Sequence, residues 1–563
     1  MKTYQIKEDE PKYTEPVSFP CLPEINTGEC ESILEGFSHG KALAFDGIND
    51  VLFAKELRSQ TAEVLKDIWN GKWENHIGQN KHFTSRLIPL NKIYPNVPTR
   101  EKFRPINVTS PIVKILEARL KDKLNAYMTN RLHRGQTGFV TGQGILVNQM
   151  RLVERVTERV NYRRQAFGVF IDFSNAFNTI LHSKLFERCQ KVLTEEEIQL
   201  IKAIFSRTKI QVGSESFTPN VGVPQGSIIS PALFNVYVED LYKKLEEIGV
   251  NMQDLMGYAD DLFVLCYSKS NMRKVIQTIK TWSIENNLNL NESKSGVMEF
   301  LPRQGGNLTL NIGQEFEGIP IVACYKYLGV WIDQKLTMEL QIEHIKSKSD
   351  WISIKMWHLL KRISLDYRKN LWTILIRPLF DQISILYYCE RAKCHKEKVD
   401  TLLRYTFRKF TLLKKNVPTY IVDDLMDYKM DERANHNITI TKTKWQNRLG
   451  KKLYVEENQV DEEKKEKVQI LPKELLQFIN LQVAKCIKKN CQSRCSKEHL
   501  ETEHQIIVPT YKETIKIIER KSEEARYYKM NRKDALAYVG EFLQTHINKI
   551  IDLLNSNSTS IGK

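Results

Sequence analysis

The sequence has no long apolar run, and no stretch of about 18 consecutive apolar residues occurs in its 563 residues. Its first residues, MKTYQIKEDEPKY, lack the apolar core of a secretory signal. Internal repeats, Gly/Ser-rich linkers and low-complexity tracts are also missing. The pattern therefore predicts no membrane span and an intracellular protein.

Cysteine is scarce and scattered, with ten residues in the whole chain. Several lie inside apolar runs, as Cys266 does in the segment 262–266. This distribution favours buried thiols in a reducing compartment and argues against a disulfide framework.

Charge is plentiful and unbalanced, because 84 Lys and Arg face 68 Asp and Glu, a net charge of +16. A polyanionic partner or an anionic membrane surface would explain the excess. A general lysine-rich bias without such a partner explains it equally well. The length predicts about three or four structural units.

Hydrophobic periodicity predicts a central region that mixes strands and helices. The segment 83–110 reads as a hairpin, 165–172 as a buried strand and 254–266 as a second hairpin. Short strands are expected in 295–302 and 307–333. Helices are expected at Thr27–Glu35 (begun by Thr27 and ended by Gly36), 49–76, 111–130, 144–162, 194–207, 231–248 and 270–287.

The strand–helix repeats are too few for a barrel or a doubly wound sheet. A small mixed sheet with helices on one face fits better, so we predict the α+β class. After about residue 335 the pattern becomes helical and basic, and the charge run 456–467 is the best linker candidate.

Three carboxylates stand at informative places. Asp172 ends the predicted strand, and Asp260 and Asp261 occupy the turn of the second hairpin. Each site has a plain alternative, a strand-ending or capping Asp and an ordinary polar turn. If the hairpin pairs beside the strand, the three carboxylates converge and suit Mg²⁺, with Mn²⁺ as a substitute. Two such ions about 3.5–4 Å apart support phosphoryl transfer.

Eight sequence blocks, in order, resemble those of reverse transcriptases, particularly the enzymes of non-LTR retrotransposons of the LINE type. The blocks are KALAFDGI (41–48), FRPINVTSPIVKILE (103–117), GQTGFVTGQG (135–144), FIDFSNAFNTILHSKLF (170–186), VGVPQGSIISPALFNVYVEDL (221–241), YADD (258–261), LNLNESKS (288–295) and YKYLGVWID (325–333).

The resemblance implies an RNA-directed DNA polymerase that extends a DNA primer on an RNA template, using dNTPs and two Mg²⁺ ions. It also implies a right-hand architecture with a palm of small antiparallel sheet and helices on one face. The expected regions are an N-terminal extension (1–40), fingers and palm (41–335), a helical thumb (336–420) and a mostly helical basic C-terminal region (421–563).

The resemblance assigns roles to matching positions. Asp172, Asp260 and Asp261 would be the catalytic, metal-binding carboxylates, with the carbonyl of Phe173 as a further ligand and Lys294 as a general acid. The nucleotide-binding set would be Arg104, Phe177, Gln225 and Gly226, and the primer grip Tyr327, Leu328 and Gly329. Plain alternatives are core packing for Phe177, a solvated side chain for Arg104 or Lys294, and an ordinary turn for 327–329.

Some positions depart from the family pattern. The first block reads LAF where P-G-P is usual, and Leu90 stands where a triphosphate-contacting Lys is common. Val140 and Gln143 replace common Arg residues. These changes concern the grip on nucleotide and template and leave the carboxylates untouched.

The tail offers a candidate zinc set of Cys486, Cys491, Cys495 and His499, with His504 nearby. Its spacing matches no usual finger or knuckle, so loosely placed thiols are the alternative reading. No endonuclease pattern is recognisable.

Three other functions share part of the evidence. An intron-encoded maturase with reverse transcriptase activity has the same blocks, and a catalytically idle nucleic-acid-binding relative would keep the fold. An RNA-dependent RNA polymerase is disfavoured by Phe177 and YADD. A retroelement enzyme would need nuclear access, for which no import signal is evident. Protein partners and oligomeric state are not encoded in any recognisable motif.

Overall fold

The computed structural model describes residues 103–450 apart from 304, 391 and 416. It also describes 12–36, 44–47, 55–70, 80–91 and the single positions 10 and 97. The chain divides into two compact units. The first comprises Met1–Leu328, Asp333–Lys335 and Lys444–Lys451, and the second comprises Gly329–Ile332, Leu336–Thr443 and Lys452–Lys563. The division near residue 335 lies where the sequence pattern turns helical.

The first unit mixes helices and strands. Its helices are α1 (Thr27–Glu35), α2 (Arg58–Trp69), α3 (Pro111–Asn130), α4 (Ile145–Asn161), α5 (His182–Cys189), α6 (Glu195–Arg207), α7 (Ser230–Glu247) and α8 (Lys269–Glu285). Its strands are β1 (Thr84–Asn91), β2 (Phe103–Val108), β3 (Phe167–Ile171), β4 (Phe173–Ser174), β5 (Lys209–Val212), β6 (Glu215–Phe217), β7 (Leu255–Tyr258), β8 (Asp261–Cys266), β9 (Asn289–Leu290), β10 (Gly296–Glu299), β11 (Glu315–Phe316), β12 (Ile319–Pro320) and β13 (Cys324–Tyr327). The last strand, β14 (Val330–Asp333), belongs to the second unit except for Asp333.

The central sheet has four strands in the order β10-β3-β8-β7, and every pair in it is antiparallel. Alternate residues of β3 face opposite sides, as the two-residue period of a strand requires. Phe167, Val169 and Ile171 join the main hydrophobic core together with residues of the surrounding helices. Phe170, on the other side, stacks on Tyr325 with ring centroids 4.4 Å apart. Burial on both sides explains why β3 reads as a continuous apolar run.

A second sheet has the order β2-β1-β5-β6. Strands β1 and β2 are antiparallel, so the predicted hairpin at 83–110 is confirmed. Strand β5 then runs parallel to β1 and antiparallel to β6. The architecture is mixed α/β, in agreement with the coarse class that the sequence predicts.

Helix boundaries follow the sequence signals closely, with small corrections. Helix α1 has the predicted bounds, but its N-cap is Asn26 rather than Thr27. The Asn26 side chain accepts a hydrogen bond from the Glu29 amide at 2.9 Å, and the Glu29 carboxylate accepts one from the Asn26 amide at 2.9 Å. This reciprocal pair is a capping box. The helix predicted over 49–76 is described as the shorter α2.

Apart from β14, the described part of the second unit is helical. Its helices are α9 (Glu339–Leu360), α10 (Leu365–Leu375), α11 (Arg377–Asp381), α12 (Ser384–Cys389), α13 (Lys393–Thr411), α14 (Thr419–Met426) and α15 (Met430–Arg448), the last of which ends within the first unit.

The aromatic residues of the second unit divide between core and surface. Trp372 is buried edge-on against Phe407, whereas Trp351 and Trp357 are 49% and 42% exposed. No helix in the described part of the chain is long and apolar enough to cross a membrane.

Candidate active site

Asp172 follows directly on β3, and both sides of its backbone are fixed. Its amide donates to the Ser295 hydroxyl at 3.1 Å, and its carbonyl accepts from the Asn291 amide at 2.9 Å. The Ser295 hydroxyl in turn donates to the Asn291 carbonyl at 2.8 Å. The carboxylate therefore stands on a rigid strand end, which suits a group that must hold an exact position.

The Asp260–Asp261 pair reaches the same end of the central sheet. Ile171 pairs with Leu262 across β3 and β8, so the next residues outward are Asp172 and Asp261. Tyr258 pairs with Asp261, which leaves Ala259 and Asp260 as the tip of the β7–β8 turn. The structure thus brings Asp172 together with the Asp260–Asp261 pair, which begins 88 positions later in the sequence.

Three residues, Gln136, Gly138 and Tyr242, hold the β7–β8 turn in place, and we name them the turn clamp. The buried Gln136 carboxamide accepts hydrogen bonds from the amides of Ala259 (2.9 Å) and Gly138 (2.8 Å). It also donates to the Ala259 carbonyl (3.0 Å) and the Tyr242 hydroxyl (3.2 Å). Ala259 has a φ of 58°, a conformation that costs energy for a residue with a Cβ.

Gly138 makes the close approach of the turn clamp feasible. A Cβ at this position would lie 2.2 Å from the Ala259 amide nitrogen. Only glycine lets the 136–138 segment pack this close to the turn. The clamp therefore fixes the turn through neutral hydrogen bonds, independently of any charge that the carboxylates carry.

The carboxylates repel each other. Burial, followed by the neighbouring charges of Asp260 and Asp172, raises the pKa of Asp261 to about 7. The same two causes, burial and then the charges of Asp172 and Asp261, raise the pKa of Tyr325. Negative charge is therefore concentrated at this end of the sheet, and a cation bound there would reduce the repulsion between the carboxylates.

We expect Asp261→Asn to make the protein more stable at alkaline pH in the absence of divalent ions. A carboxyl whose folded pKa lies above its unfolded value favours folding in its protonated form. The contribution of protonated Asp261 to the free energy of unfolding is thus fully present below about pH 4 and is lost as pH rises through about 7. The variant lacks this loss, so its free energy of unfolding at pH 8 should exceed wild type by about 1–3 kcal/mol.

Thermal unfolding in EDTA between pH 4 and 8 measures this difference. The two proteins should converge at the acid end, and added Mg²⁺ should narrow the gap at pH 8. Parallel curves for both proteins across the whole range would contradict the expectation.

A cavity of about 990 Å³ opens beside these carboxylates. Its lining includes eight residues that the sequence nominates: Arg104, Asp172, Phe173, Phe177, Gln225, Gly226, Asp260 and Lys294. Asp261, Tyr327 and Leu328 do not line it. The four residues predicted to bind nucleotide and two of the three carboxylates therefore line the same cavity.

Phe177 forms part of the wall of this cavity. Its ring stacks on buried Phe234 with centroids 4.5 Å apart and planes at 12°, and Phe139 meets it edge-on at 6.2 Å. Its carbonyl accepts from the Val223 amide at 2.7 Å. Phe177 therefore packs against the core on one side and still borders the cavity.

The loop of Gln225 and Gly226 is pressed against β2. The Gln225 carbonyl accepts from the Asn107 amide at 2.9 Å, and the Gly226 carbonyl accepts from the Thr109 hydroxyl at 3.3 Å. The Gln225 side chain reaches the Asn178 side chain at 3.4 Å. A Cβ on Gly226 would lie 1.9 Å from the Asn107 carbonyl oxygen, so the loop requires glycine there.

Arg104 and Lys294 bring positive charge to the cavity from different elements. Arg104 is exposed on β2, opposite Leu90 on β1. Lys294 is exposed in the turn after β9, and its amide donates to the Asn291 carbonyl at 3.2 Å. Both cations can face a negatively charged ligand in the cavity.

The segment Tyr327–Gly329 lies apart from this cavity. Tyr327 is buried, and its hydroxyl donates to the Met256 carbonyl at 2.8 Å. Leu328 and Gly329 have φ angles of 47° and 87°, which form a tight left-handed turn. The Leu328 carbonyl accepts from the Gln149 side chain at 3.1 Å. Tyr327 therefore supports β7 through this hydrogen bond, and of this segment only the turn at Leu328 and Gly329 is available to a ligand.

Residues 94–332 match the family model described as reverse transcriptase (RNA-dependent DNA polymerase). This segment belongs to the reverse transcriptase family.

The reverse transcriptase segment is related to the polymerases of non-LTR retrotransposons. The chain is 24% identical over 374 residues to the RNA-directed DNA polymerase from mobile element jockey of Drosophila melanogaster, covering 63% of this chain and 40% of that protein. It is 28% identical over 257 residues to the probable RNA-directed DNA polymerase from transposon BS of the same organism, covering 42% and 28%. The chain thus spans about two fifths, or less, of the length of these relatives.

Among solved structures, the fold is similar to apo telomerase from Candida tropicalis, with a TM-score of 0.37 and 11% sequence identity over 74% of this chain and 79% of that one.

Divalent metal ions are implied by membership of the reverse transcriptase family, and the donors fit them. Asp172, Asp260 and Asp261 supply hard oxygen atoms, and the charges of the first two raise the pKa of Asp261. No ready-made cluster of three or more His, Cys, Asp or Glu ligands exists within the described residues.

Several residues of the reverse transcriptase site escaped the sequence analysis. Gln136, Gly138, Asn291 and Ser295 lie inside blocks that resemble the family, but their contacts join distant segments and leave no periodic signal. The candidate zinc residues Cys486, Cys491, Cys495 and His499 lie outside the described residues.

Proposed function

We propose that the chain is an RNA-directed DNA polymerase of a non-LTR retroelement, which extends a DNA primer on an RNA template from dNTPs. The observation that carries this proposal is the meeting of Asp172 with the Asp260–Asp261 turn beside a cavity that contains Arg104, Phe177 and Gln225. Family membership supports the same conclusion.

In this proposal Asp172, Asp260 and Asp261 hold two Mg²⁺ ions, for which Mn²⁺ can substitute, and the Phe173 carbonyl adds a ligand. When bound, the ions neutralise the triphosphate and increase the acidity of the primer 3′-hydroxyl. Arg104 binds the triphosphate oxygens through its planar guanidinium. Lys294 donates a proton to the departing pyrophosphate.

The remaining regions receive roles in the same proposal. Residues 41–335 form fingers and palm, 336–420 a thumb and 421–563 a basic C-terminal region, after an extension at 1–40. Tyr327, Leu328 and Gly329 form the primer grip, in which the left-handed turn contacts the primer and Tyr327 positions it. Gln225 and Gly226 contact the nucleotide and template. Copying into a genome would require access to the nucleus.

Phe177→Val should relax the choice of sugar. The ring is held flat on Phe234, so it forms a fixed wall that we expect to exclude a ribose 2′-hydroxyl. Removing the ring should raise the kcat/KM ratio for NTP over dNTP by about 10- to 100-fold, the usual worth of such a steric contact. Single-nucleotide incorporation measures the ratio. Unchanged discrimination with normal dNTP use would contradict this role.

Primer extension on poly(A)/oligo(dT) with Mg²⁺ tests the function. Incorporation of dTTP that EDTA abolishes supports the proposal. Binding of the template–primer without extension would identify a catalytically idle relative, and a preference for UTP would identify an RNA polymerase. Extension that depends on added intron RNA would identify a maturase.

A further inference from the structure

The end of the central sheet opposite the carboxylates has a surface of its own. Helix α4 ends at Asn161, and the chain then turns sharply into β3. The Arg163 amide donates to the Val160 carbonyl at 3.0 Å, and the Arg164 amide donates to the Arg159 carbonyl at 3.0 Å. Arg163 itself has a φ of 53°. This turn presents a row of exposed polar and aromatic side chains at 161–165.

Two tyrosines and three arginines form what we name the arginine–tyrosine patch: Arg159, Tyr162, Arg163, Arg164 and Tyr267. The Arg159 guanidinium lies 4.0 Å over the centre of the Tyr267 ring, and the Arg164 guanidinium lies 5.7 Å from that of Tyr162. The Tyr162 ring is 72% exposed. Next to the patch is a cavity of about 300 Å³.

Two acidic groups near the patch form ion pairs with a further arginine. Arg155 pairs with buried Asp254 at 3.0 Å and with Glu158 at 2.8 Å, and it also donates to the Tyr267 hydroxyl at 2.7 Å. In the described part of the chain, no carboxylate forms an ion pair with Arg159, Arg163 or Arg164. Counting Arg155, the four arginines exceed these two carboxylates by two positive charges, and Arg159 also donates to the Gln165 carbonyl at 3.2 Å. Arg163 and Arg164 therefore carry the positive charge that is left for a ligand.

Charged guanidinium groups interleaved with exposed aromatic rings are suited to single-stranded nucleic acid. The guanidinium groups bind phosphates, and the rings stack on unpaired bases. An acidic protein segment would use the charges but would leave the exposed Tyr162 ring without a stacking partner.

The patch is separate from the cavity of the proposed active site. Strand β3 has five residues and about 13–17 Å of length, with Asp172 at its carboxyl end and the 162–166 segment at its amino end. We propose that the arginine–tyrosine patch is a second nucleic-acid site, which binds single-stranded RNA outside the catalytic cavity. This inference rests on the proposed function for the class of its partner.

The test measures binding of a labelled oligo(C) RNA of about 20 nucleotides, longer than one typical stacking site. The full-length protein is first saturated with a blunt rA/dT hybrid, which leaves no single strand and occupies the catalytic cavity. Wild type should still bind the labelled RNA. The Arg163→Gln/Arg164→Gln variant should bind it roughly tenfold or more weakly.

Two further readouts separate a binding role from a structural one. The slope of log Kd against log salt should fall by about 1.4, since each lost single-strand phosphate contact contributes about 0.7. Tyr162→Ala should weaken RNA binding by roughly fivefold or more, with no change in that slope. Lys121→Gln/Lys274→Gln removes the same charge from α3 and α8 and should bind like wild type.

The outcomes distinguish this inference from the proposed function. Unchanged RNA binding and salt slope in Arg163→Gln/Arg164→Gln would overturn the second site, even if poly(A)/oligo(dT) extension is normal. Equal competition by poly-glutamate would also overturn it, because the partner would then be an acidic protein. Weakened RNA binding in a chain that extends no primer would support the second site while the polymerase proposal failed.

Discussion

Asp260→Asn is expected to reduce primer extension by at least about 1,000-fold, which corresponds to about 4 kcal/mol of lost transition-state stabilisation. The substitution keeps the size of the side chain and removes its charge. Asp260 borders the cavity, and Asp172 lies in the same lining, so Asp172→Asn should have an effect of the same order. The comparison of kcat/KM values on poly(A)/oligo(dT) measures the loss.

The matched control is Asp122→Asn, an exposed carboxylate on α3. It should retain wild-type extension, and all three variants should keep wild-type affinity for the template–primer. Activity of Asp260→Asn within tenfold of wild type would remove the basis for assigning the reaction to these carboxylates.

Gly226→Ala is expected to reduce extension by about 100-fold and the free energy of unfolding by about 2–4 kcal/mol. The new Cβ would lie 1.9 Å from the Asn107 carbonyl oxygen and 3.0 Å from the carbonyl carbon. Both contacts are with backbone, so no side chain can rotate away and the loop itself must move. Gln225, whose carbonyl is bonded to the Asn107 amide, would move with it.

Gly144→Ala is the appropriate comparison, because a Cβ there meets nothing within 4 Å and the backbone is extended. Urea denaturation and single-nucleotide incorporation should leave this control close to wild type. If Gly226→Ala behaved like Gly144→Ala in both assays, the loop would tolerate displacement and would not position the nucleotide.

The elements that hold the carboxylates were predictable because each depends on local pattern. Strand β3 and the β7–β8 hairpin are apolar runs that end at acidic residues. Burial on both faces makes each of these runs continuously apolar. The hypothesis that Asp172 meets Asp260 and Asp261 therefore needed only one assumption, that β8 pairs with β3, and the structure has this pair.

The support of the site was not predictable from local pattern. Gln136 contacts Ala259 across 123 positions of sequence, and Ser295 contacts Asp172 across the same separation. Such bonds depend on tertiary packing, which a single sequence does not display. The misplaced N-cap of α1 has a simpler cause, since Asn26 and Thr27 are both good capping residues and only the backbone decides between them.

The roles of Lys294, Phe173 and the primer-grip residues stay predictions, as do the predicted domain boundaries and the zinc set in the tail. Their signals are single residues or short turns whose function depends on a ligand. Phe177 illustrates the difficulty, because its stacking on Phe234 would be the same for a core residue and for a residue that contacts a nucleotide.

The turn clamp makes the conformation of the β7–β8 hairpin independent of the charge on its carboxylates. Gln136 carries no charge and cannot titrate, so the tip at Ala259 keeps its form whether the neighbouring acids are protonated, ionised or coordinated. A cation would bind to a site that is already formed. Its departure with the products would leave the ends of β7 and β8 in place. Chelation should therefore halt turnover reversibly, and readdition of the ion should restore full speed without a refolding lag.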